Sequence, residues 1–395
     1  MRIAYLSVSD QLGGSEIVLL EMLKGVRRLR PEWTLQLILP GSGPLLDRAE
    51  ALGADCVMVP MPAALARLGE SGSSGLSLAA RLVPVAFTLP GYVRRVRRVL
   101  KGSRPAILHT NGFKAHVIGA RAAEESKVVW HMHEYVGTRR ATRSLLLRNQ
   151  ARVAAIVANS KSVAQDVTDT LQPSVPVHIV QNAVDLEAFS PTGPVENLDR
   201  RAGMSPPPGP VVRVGLVATF ARWKGHEVFL RALAALPADL PVRGYIIGAP
   251  LYDTDSSQYS LEELRGLADR LSLGNRVGFA GFLPAAAAMR ALDIVVHAST
   301  QPEPFGLVIA EALACGRAVI TSGAGGAAEV VHAGHDALVH APGDHTALAE
   351  CIVRLAQDQE LRQTLGVRAR ASAFARFDSS RLARDLVAVY EATNG

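Results

Sequence analysis

The chain has 395 residues, of which 48% are hydrophobic and 20% charged, and it carries a formal net charge of +6. That length is too great for one ordinary core and the composition is that of folded protein, which excludes a disordered chain and predicts two domains. Only 5% of the residues are aromatic, which sets nucleic-acid binding aside. The three scattered cysteines, Cys56, Cys315 and Cys351, fit neither a disulfide framework nor metal-ligand spacing, which predicts a cytoplasmic location.

The first segment, "RIAYLSV", is too short for a signal peptide or a spanning helix and predicts a buried strand. It runs into "SDQLGGSEIVLLEML", where Gly13 and Gly14 precede a helix starting near Ser15. That helix start offers amides to an anion, and the glycines serve either a tight turn or a ligand. A dinucleotide fingerprint is missing, because the second strand, "TLQLILP", ends without the acid a ribose requires.

Basic charge is concentrated early, with 24 Lys and Arg against 17 Asp and Glu in residues 1–200, and 18 against 19 in residues 201–395. It peaks in "GYVRRVRRVLKGSR", where Val93, Val96, Val99 and Leu100 recur at helical spacing among Arg94, Arg95, Arg97, Arg98 and Lys101. This predicts a basic amphipathic helix, either a solvated face or a contact with anionic lipid. The apolar stretch before it, "LAARLVPVAFTLPG", is interrupted by Pro84 and Pro90 and is too short to span a bilayer.

"AILHT", "KVVWHMH" and "AAIVANS" continue a strand–helix alternation, and "VVRVGLVAT", "VRGYIIG", "DIVVHAS" and "RAVITS" repeat it in the second half. Such alternation predicts βαβ units and parallel sheets. Between the two series, "EAFSPTGPVENLDRRAGMSPPPGP" has the Pro and Gly content of a linker, so a domain boundary is expected near residues 185–210. The expected fold class is therefore α/β, two doubly wound domains facing across a cleft lined by strand C-terminal ends. His131 and His133, two apart on a strand, lack a third ligand for a metal.

In the second half, Arg222 and Lys224 of "ATFARWKGHEVFLRAL" follow a strand and precede a helix. They are either solvated cations or a fork and a point charge for a diphosphate. Gly323, Gly325 and Ala328 form a G-x-G-x-x-A pattern too late in the chain for a nicotinamide domain, and it is read as a phosphate or sugar loop. In "QPEPFGLVIAEALACG", Glu303 lies on a loop and Glu311 about one and a half turns into a helix, whose first amides suit phosphate or an anionic sugar oxygen. Two carboxylates also suggest a glycosidase, but neutral glycosides give no use for the cations gathered beside them.

These motifs carry a resemblance. "GGSE", "HTNGFKAH", "NAVDLEAFSP", "RWKG", "EPFGLVIAEALACG" and "GAGGAAE" match, in order, patterns of the family 4 glycosyltransferases, retaining enzymes of GT-B fold that use nucleotide-sugar donors. The resemblance implies that both domains are Rossmann-like, with residues 1–185 on the acceptor side, a C-terminal helix 377–395 returning to them, a linker 186–209, and a donor domain 210–376. It implies that Glu303 contacts the transferred sugar and Glu311 the nucleotide ribose. The amides of Phe305, Gly306 and Leu307 would meet sugar and phosphates, and the segments around Gly248 and Leu283 would border the base. His133 resembles the family's active-site histidine, with a buried structural histidine as the alternative, and Gly14 lies in the family's glycine turn. Many relatives have Gly-Arg where this chain has Ala218-Thr219, so Arg222 is left as a candidate replacement for that arginine.

The expected activity is that of a metal-independent hexosyltransferase that needs no cofactor beyond a UDP- or GDP-sugar. Arg222, Lys224 and helix amides would hold the departing diphosphate during same-face attack. The expected acceptor is carbohydrate or lipid-linked, in cell-envelope polysaccharide or glycolipid synthesis, with possible contact to an anionic inner membrane face and no nucleic-acid partner. A non-catalytic nucleotide-sugar binding protein and a nucleotide-dependent oxidoreductase or epimerase are the rival readings.

Overall fold

In the computed structural model, residues 1–66, 76–250 and 257–395 are described, the side chains of residues 76–83 excepted. Two compact units divide the chain: Met1–Ala183 with Ser379–Gly395, and Val184–Asp378.

The first unit holds a seven-stranded sheet of β1 (Arg2–Ser7), β2 (Thr34–Leu39), β3 (Asp55–Met58), β4 (Ile107–Asn111), β5 (Lys127–Met132), β6 (Val153–Ala158) and β7 (Val177–Ile179) in the order β3-β2-β1-β4-β5-β6-β7. All its pairings are parallel. Strands β1 and β4 are buried almost throughout, as a parallel sheet covered on both faces requires, and so they read as unbroken apolar runs. Strand order reverses between β1 and β4, which places the Gly13-Gly14 turn and the end of β4 at the position where doubly wound sheets open a crevice.

The second unit repeats the design with β8 (Val212–Val217), β9 (Val242–Ile247), β10 (Val277–Gly281), β11 (Ile294–His297), β12 (Ala318–Ser322) and β13 (Leu338–His340), ordered β10-β9-β8-β11-β12-β13 and all parallel. Its reversal falls between β8 and β11, the strands that lead to Lys224 and Glu303 respectively.

Two local features differ from the sequence expectation. Helix Leu76–Ser103 runs through Pro84 and Pro90 without a break, although each proline withholds the amide that the carbonyl four residues before it would accept; Val85, Leu89, Tyr92 and Val93 pack into the core of the first unit around them. Part of the apolar stretch expected there lies outside the described side chains. Residues 186–209 fold with the second unit, because Leu198 is buried and Asp199 binds Arg243 at 2.6 Å and Arg213 at 3.1 Å. Helix Ser379–Asn394 packs in the first unit, where Arg30 meets Glu391 at 2.7 Å. Among the described residues, no helix is long and apolar enough to cross a membrane.

Candidate active site

In the second unit, β8 ends in a short 3-10 turn, Arg222–Lys224. The Trp223 carbonyl accepts from the Thr300 amide at 2.8 Å, which holds that turn against the loop leading to Glu303. There the Lys224 Nζ reaches Glu303 Oε1 at 2.6 Å, while Oε2 accepts from His297 Nε2 at 2.7 Å and Ser299 Oγ at 2.8 Å. Glu303 is buried. Burial alone would raise its carboxyl, but the Lys224 charge and the His297 contacts outweigh that and hold it well below the usual carboxylate range. His297 is fixed in turn by Thr321 Oγ1 at 2.9 Å from its Nδ1. The Glu303 backbone is held as well, its carbonyl accepting from Gly326 N at 2.7 Å. The glycine-rich loop that imitates a dinucleotide motif therefore buttresses Glu303.

After Glu303, Phe305 is buried and meets Phe377 edge-on at 5.8 Å. Gly306 takes φ 90° as N-cap of helix Leu307–Ala314, a conformation that side chains with a Cβ avoid. The first amides of this helix have no acceptor within it and concentrate positive potential at its start. Glu311, buried on the same helix, has no hydrogen-bond donor among the described residues, and burial pushes its carboxyl up to about 8. A neutral carboxyl of this kind gains two strong acceptors once a hydroxyl-bearing ligand favours its ionised form.

Two further expected positions lie at strand ends in this unit. Gly248 follows β9 with φ 147°, and a Cβ there would stand 1.9 Å from the Ala218 carbonyl oxygen, so only glycine lets the β8 and β9 ends approach. Gly248 N donates to Gly281 O at 2.9 Å, tying this end to that of β10. Leu283 is buried just beyond β10, next to Phe282, which is 76% exposed. Arg222 is directed to other partners than Lys224: its guanidinium pairs with Glu263 at 2.7 Å and lies over the Tyr259 ring at 4.4 Å.

In the first unit, His133 follows β5 and is half-buried; burial holds its imidazole down at about 4. Its Nε2 lies 2.6 Å from Asn111 Oδ1, and its ring lies against His131, centroids 4.1 Å apart and planes tilted by 34°. His131 Nδ1 meets His109 Nε2 at 3.2 Å, and His109 Nδ1 meets the Tyr390 hydroxyl at 2.9 Å. Burial drives His109 to about 3 and His131 well below its ordinary value, so the cluster is uncharged. Gly14 begins helix Gly14–Leu29, with nothing within 4 Å of where a Cβ would sit. The helix start expected to receive an anion already holds a carboxyl: the buried Glu16 side chain accepts from the Ser15 hydroxyl at 2.9 Å, and burial pushes its proton affinity up.

Sequence reasoning passed over Asn111, His297 and Ser299, each of which lies at or just past a strand end, the signal that marks such positions in parallel sheets. Part of the basic run is engaged within the first unit. Arg97 and Lys101 both pair with Glu124, at 3.1 and 2.8 Å, and Arg95 donates to the Pro60 carbonyl.

Two Rossmann-like parallel sheets in one chain are an architecture that solved glycosyltransferases share. Residues 12–188 match the family described as Glycosyltransferase Family 4, and residues 207–372 match Glycosyl transferases group 1. The chain belongs to glycosyltransferase family 4. It is 24% identical over 293 residues to the N-acetyl-alpha-D-glucosaminyl L-malate synthase of Bacillus anthracis, covering 72% of this chain and 74% of that one. With the D-inositol 3-phosphate glycosyltransferase of Jonesia denitrificans it shares 34% over 257 residues, 61% of this chain and 57% of the other. The crystal structure of Anabaena HepE in complex with UDP and glucose superposes with a TM-score of 0.78 at 25% identity, covering 99% of this chain and 100% of that one.

Proposed function

We propose that this glycosyltransferase moves a sugar from a UDP-sugar to a hydroxyl of a cell-envelope polysaccharide or glycolipid, with retention at the anomeric carbon. The observation that carries the reading is the set of groups at the β8–β11 switch point: Lys224, Glu303 and the start of helix Leu307–Ala314, with Glu311 neutral and without a donor among the described residues. Lys224 and the amides of Phe305, Gly306 and Leu307 bind the diphosphate, Glu311 takes the ribose hydroxyls, Glu303 the transferred sugar, and Gly248 and Leu283 border the base. Complexes of HepE with UDP and with UDP-glucose support uridine as the base. Arg222 joins the diphosphate only if it leaves Glu263. His133 and Gly14 serve the first unit's part of the reaction.

In the reaction the anomeric C–O bond to the diphosphate breaks, the acceptor oxygen forms its bond on the same face, and its proton passes to the departing phosphate oxygen. Lys224 and the helix amides balance the charge that develops on the diphosphate, so no divalent ion is required. The unpaired cations of the first unit support a cytoplasmic enzyme resting on an anionic membrane surface. Among the described residues Arg94 and Arg98 have no partner, and neither do Arg140 and Arg143 of helix Arg140–Leu147, which exposes Leu145 and Leu147.

Thermal shift against UDP, GDP and ADP, with NAD and NADP as controls, tests the donor site, because a ligand of the folded state raises Tm. UDP alone is expected to raise it, and Lys224→Ala to remove the effect. A shift with NAD instead, or with no nucleoside diphosphate, ends the transferase reading. Retention is checked by the anomeric configuration of the product, and metal independence by turnover in a chelator.

A further inference from the structure

The Asn111 carboxamide is oriented by a partner other than His133. Its Nδ2 donates to the Ser15 backbone carbonyl at 3.2 Å, and a carbonyl can only accept. The opposite side is therefore Oδ1, which lies 2.6 Å from His133 Nε2. An amide oxygen also only accepts, so His133 carries its proton on Nε2, and Nδ1 keeps a lone pair with no partner among the described residues.

The choice of asparagine at this place has a chemical meaning. An aspartate would fix the same tautomer but would also stabilise the imidazolium, turning the ring into an acid. The amide fixes the tautomer without adding charge. No neighbouring group supplies the missing charge. β4 presents His109 and β5 presents His131, both neutral; helix Phe113–Ala122 presents His116, also held neutral by burial. Helix Gly14–Leu29 presents Glu16, whose carboxyl is engaged with its own turn; helix Ser379–Asn394 presents Tyr390, bound to His109; and Glu134 beside His133 is paired with Arg139 at 2.5 Å.

We propose that Asn111 is the positioning residue of His133: it locks the imidazole as the Nε2–H tautomer and anchors it to the first turn of helix Gly14–Leu29, so that Nδ1 is offered as a neutral hydrogen-bond acceptor to a sugar hydroxyl. The assignment rests on the transferase reading for its consequence, but the tautomer itself does not.

The test uses the whole chain labelled with 15N, with the His133 ring signals assigned through His133→Gln. The wild type is expected to show Nε2 protonated and Nδ1 bare. Asn111→Ala should populate both tautomers and lower kcat with UDP-sugar roughly tenfold to a hundredfold, by analogy with the loss of partners that orient metal-bound histidines, while KM changes little. Asn111→Asp preserves shape and should keep the Nε2–H tautomer, raise the His133 pKa, and move the acid limb of the pH–rate profile to higher pH. A wild-type ring protonated on Nδ1, a tautomer unchanged by Asn111→Ala, or an Asn111→Asp profile superposing on the wild type each overturns the assignment. Failure of the transferase reading is seen separately, as absence of turnover in the wild type with any nucleotide sugar; it removes the proposed role of Nδ1 together with that reading, while the ring nitrogens still decide whether Asn111 sets the tautomer.

Discussion

Lys224, itself half-buried, already has an anionic partner in the buried Glu303, 2.6 Å away, so a diphosphate that binds this lysine competes with a carboxylate of the chain. Replacing the carboxylate by an amide of the same shape removes the competitor and its repulsion of phosphate. Glu303→Gln is therefore expected to tighten UDP roughly tenfold, about 1.4 kcal/mol, while transfer is lost, because the same oxygen atoms are proposed to hold the sugar. Calorimetric titration of UDP into the variant checks this; unchanged or weaker binding would mean that the pair does not guard the site. His297 and Ser299 show why the residue scale was only half legible. Glu303 and Glu311 announced themselves by spacing, but the groups that hold Glu303 are four and six residues upstream, and only the turn of the backbone after β11 brings them to one oxygen atom.

Elements were easier to read where they are long. The strands recognised from sequence are mostly buried runs of apolar residues, whereas β3, β7, β10 and β13 went unseen: they are three to five residues long, and β10 contains two glycines. The Pro84–Pro90 interval was read as an interruption because proline withholds an amide, yet the helix continues on the packing of its neighbours. At the other end of the scale, helix Leu307–Ala314 is placed by one residue. A Cβ on Gly306 would meet Ile309 Cδ1 at 2.7 Å with φ at 90°, and a non-glycine residue in this region costs about 1–2 kcal/mol before any clash. Gly306→Ala should lower Tm and weaken UDP together, since the amides proposed to meet the phosphate move with the turn. A variant that loses stability but binds UDP normally would separate the helix start from the ligand.

Across the whole molecule, the two units answer acid differently. In the second, Glu311 holds a proton up to about pH 8 when folded but sheds it near pH 4.5 when unfolded. The folded state thus binds more protons over that window, and stability rises as pH falls from 8. In the first, His109, His116, His131 and His133 are kept neutral, while the unfolded chain protonates near 6.5, so stability is present above that pH and is lost as pH falls through it. The lowered His226 and His340 oppose Glu311 only below 6.5. Hydrogen exchange followed by peptide should show helix Leu307–Ala314 better protected at pH 6.5 than at pH 8 after correction for intrinsic rates, and this gain should vanish in Glu311→Gln. The β4 and β5 peptides should lose protection only below 6.5.

The return of helix Ser379–Asn394 to the first unit makes the second unit, residues 184–378, an insertion within the first. The two points where the chain leaves and re-enters are close, since Arg381 donates to the Asn182 carbonyl at 2.9 Å. Translation consequently delivers the whole inserted unit before the helix that bears Tyr390, the residue that closes the polar cluster behind His133. The host sheet must wait, with His109 lacking its hydroxyl partner, while the guest has every residue it folds with. Order of synthesis and order of completion are thus inverted for the two halves, and a truncation of helix Ser379–Asn394 removes the hydroxyl partner of His109 in the first unit while sparing the Lys224–Glu303 pair of the second.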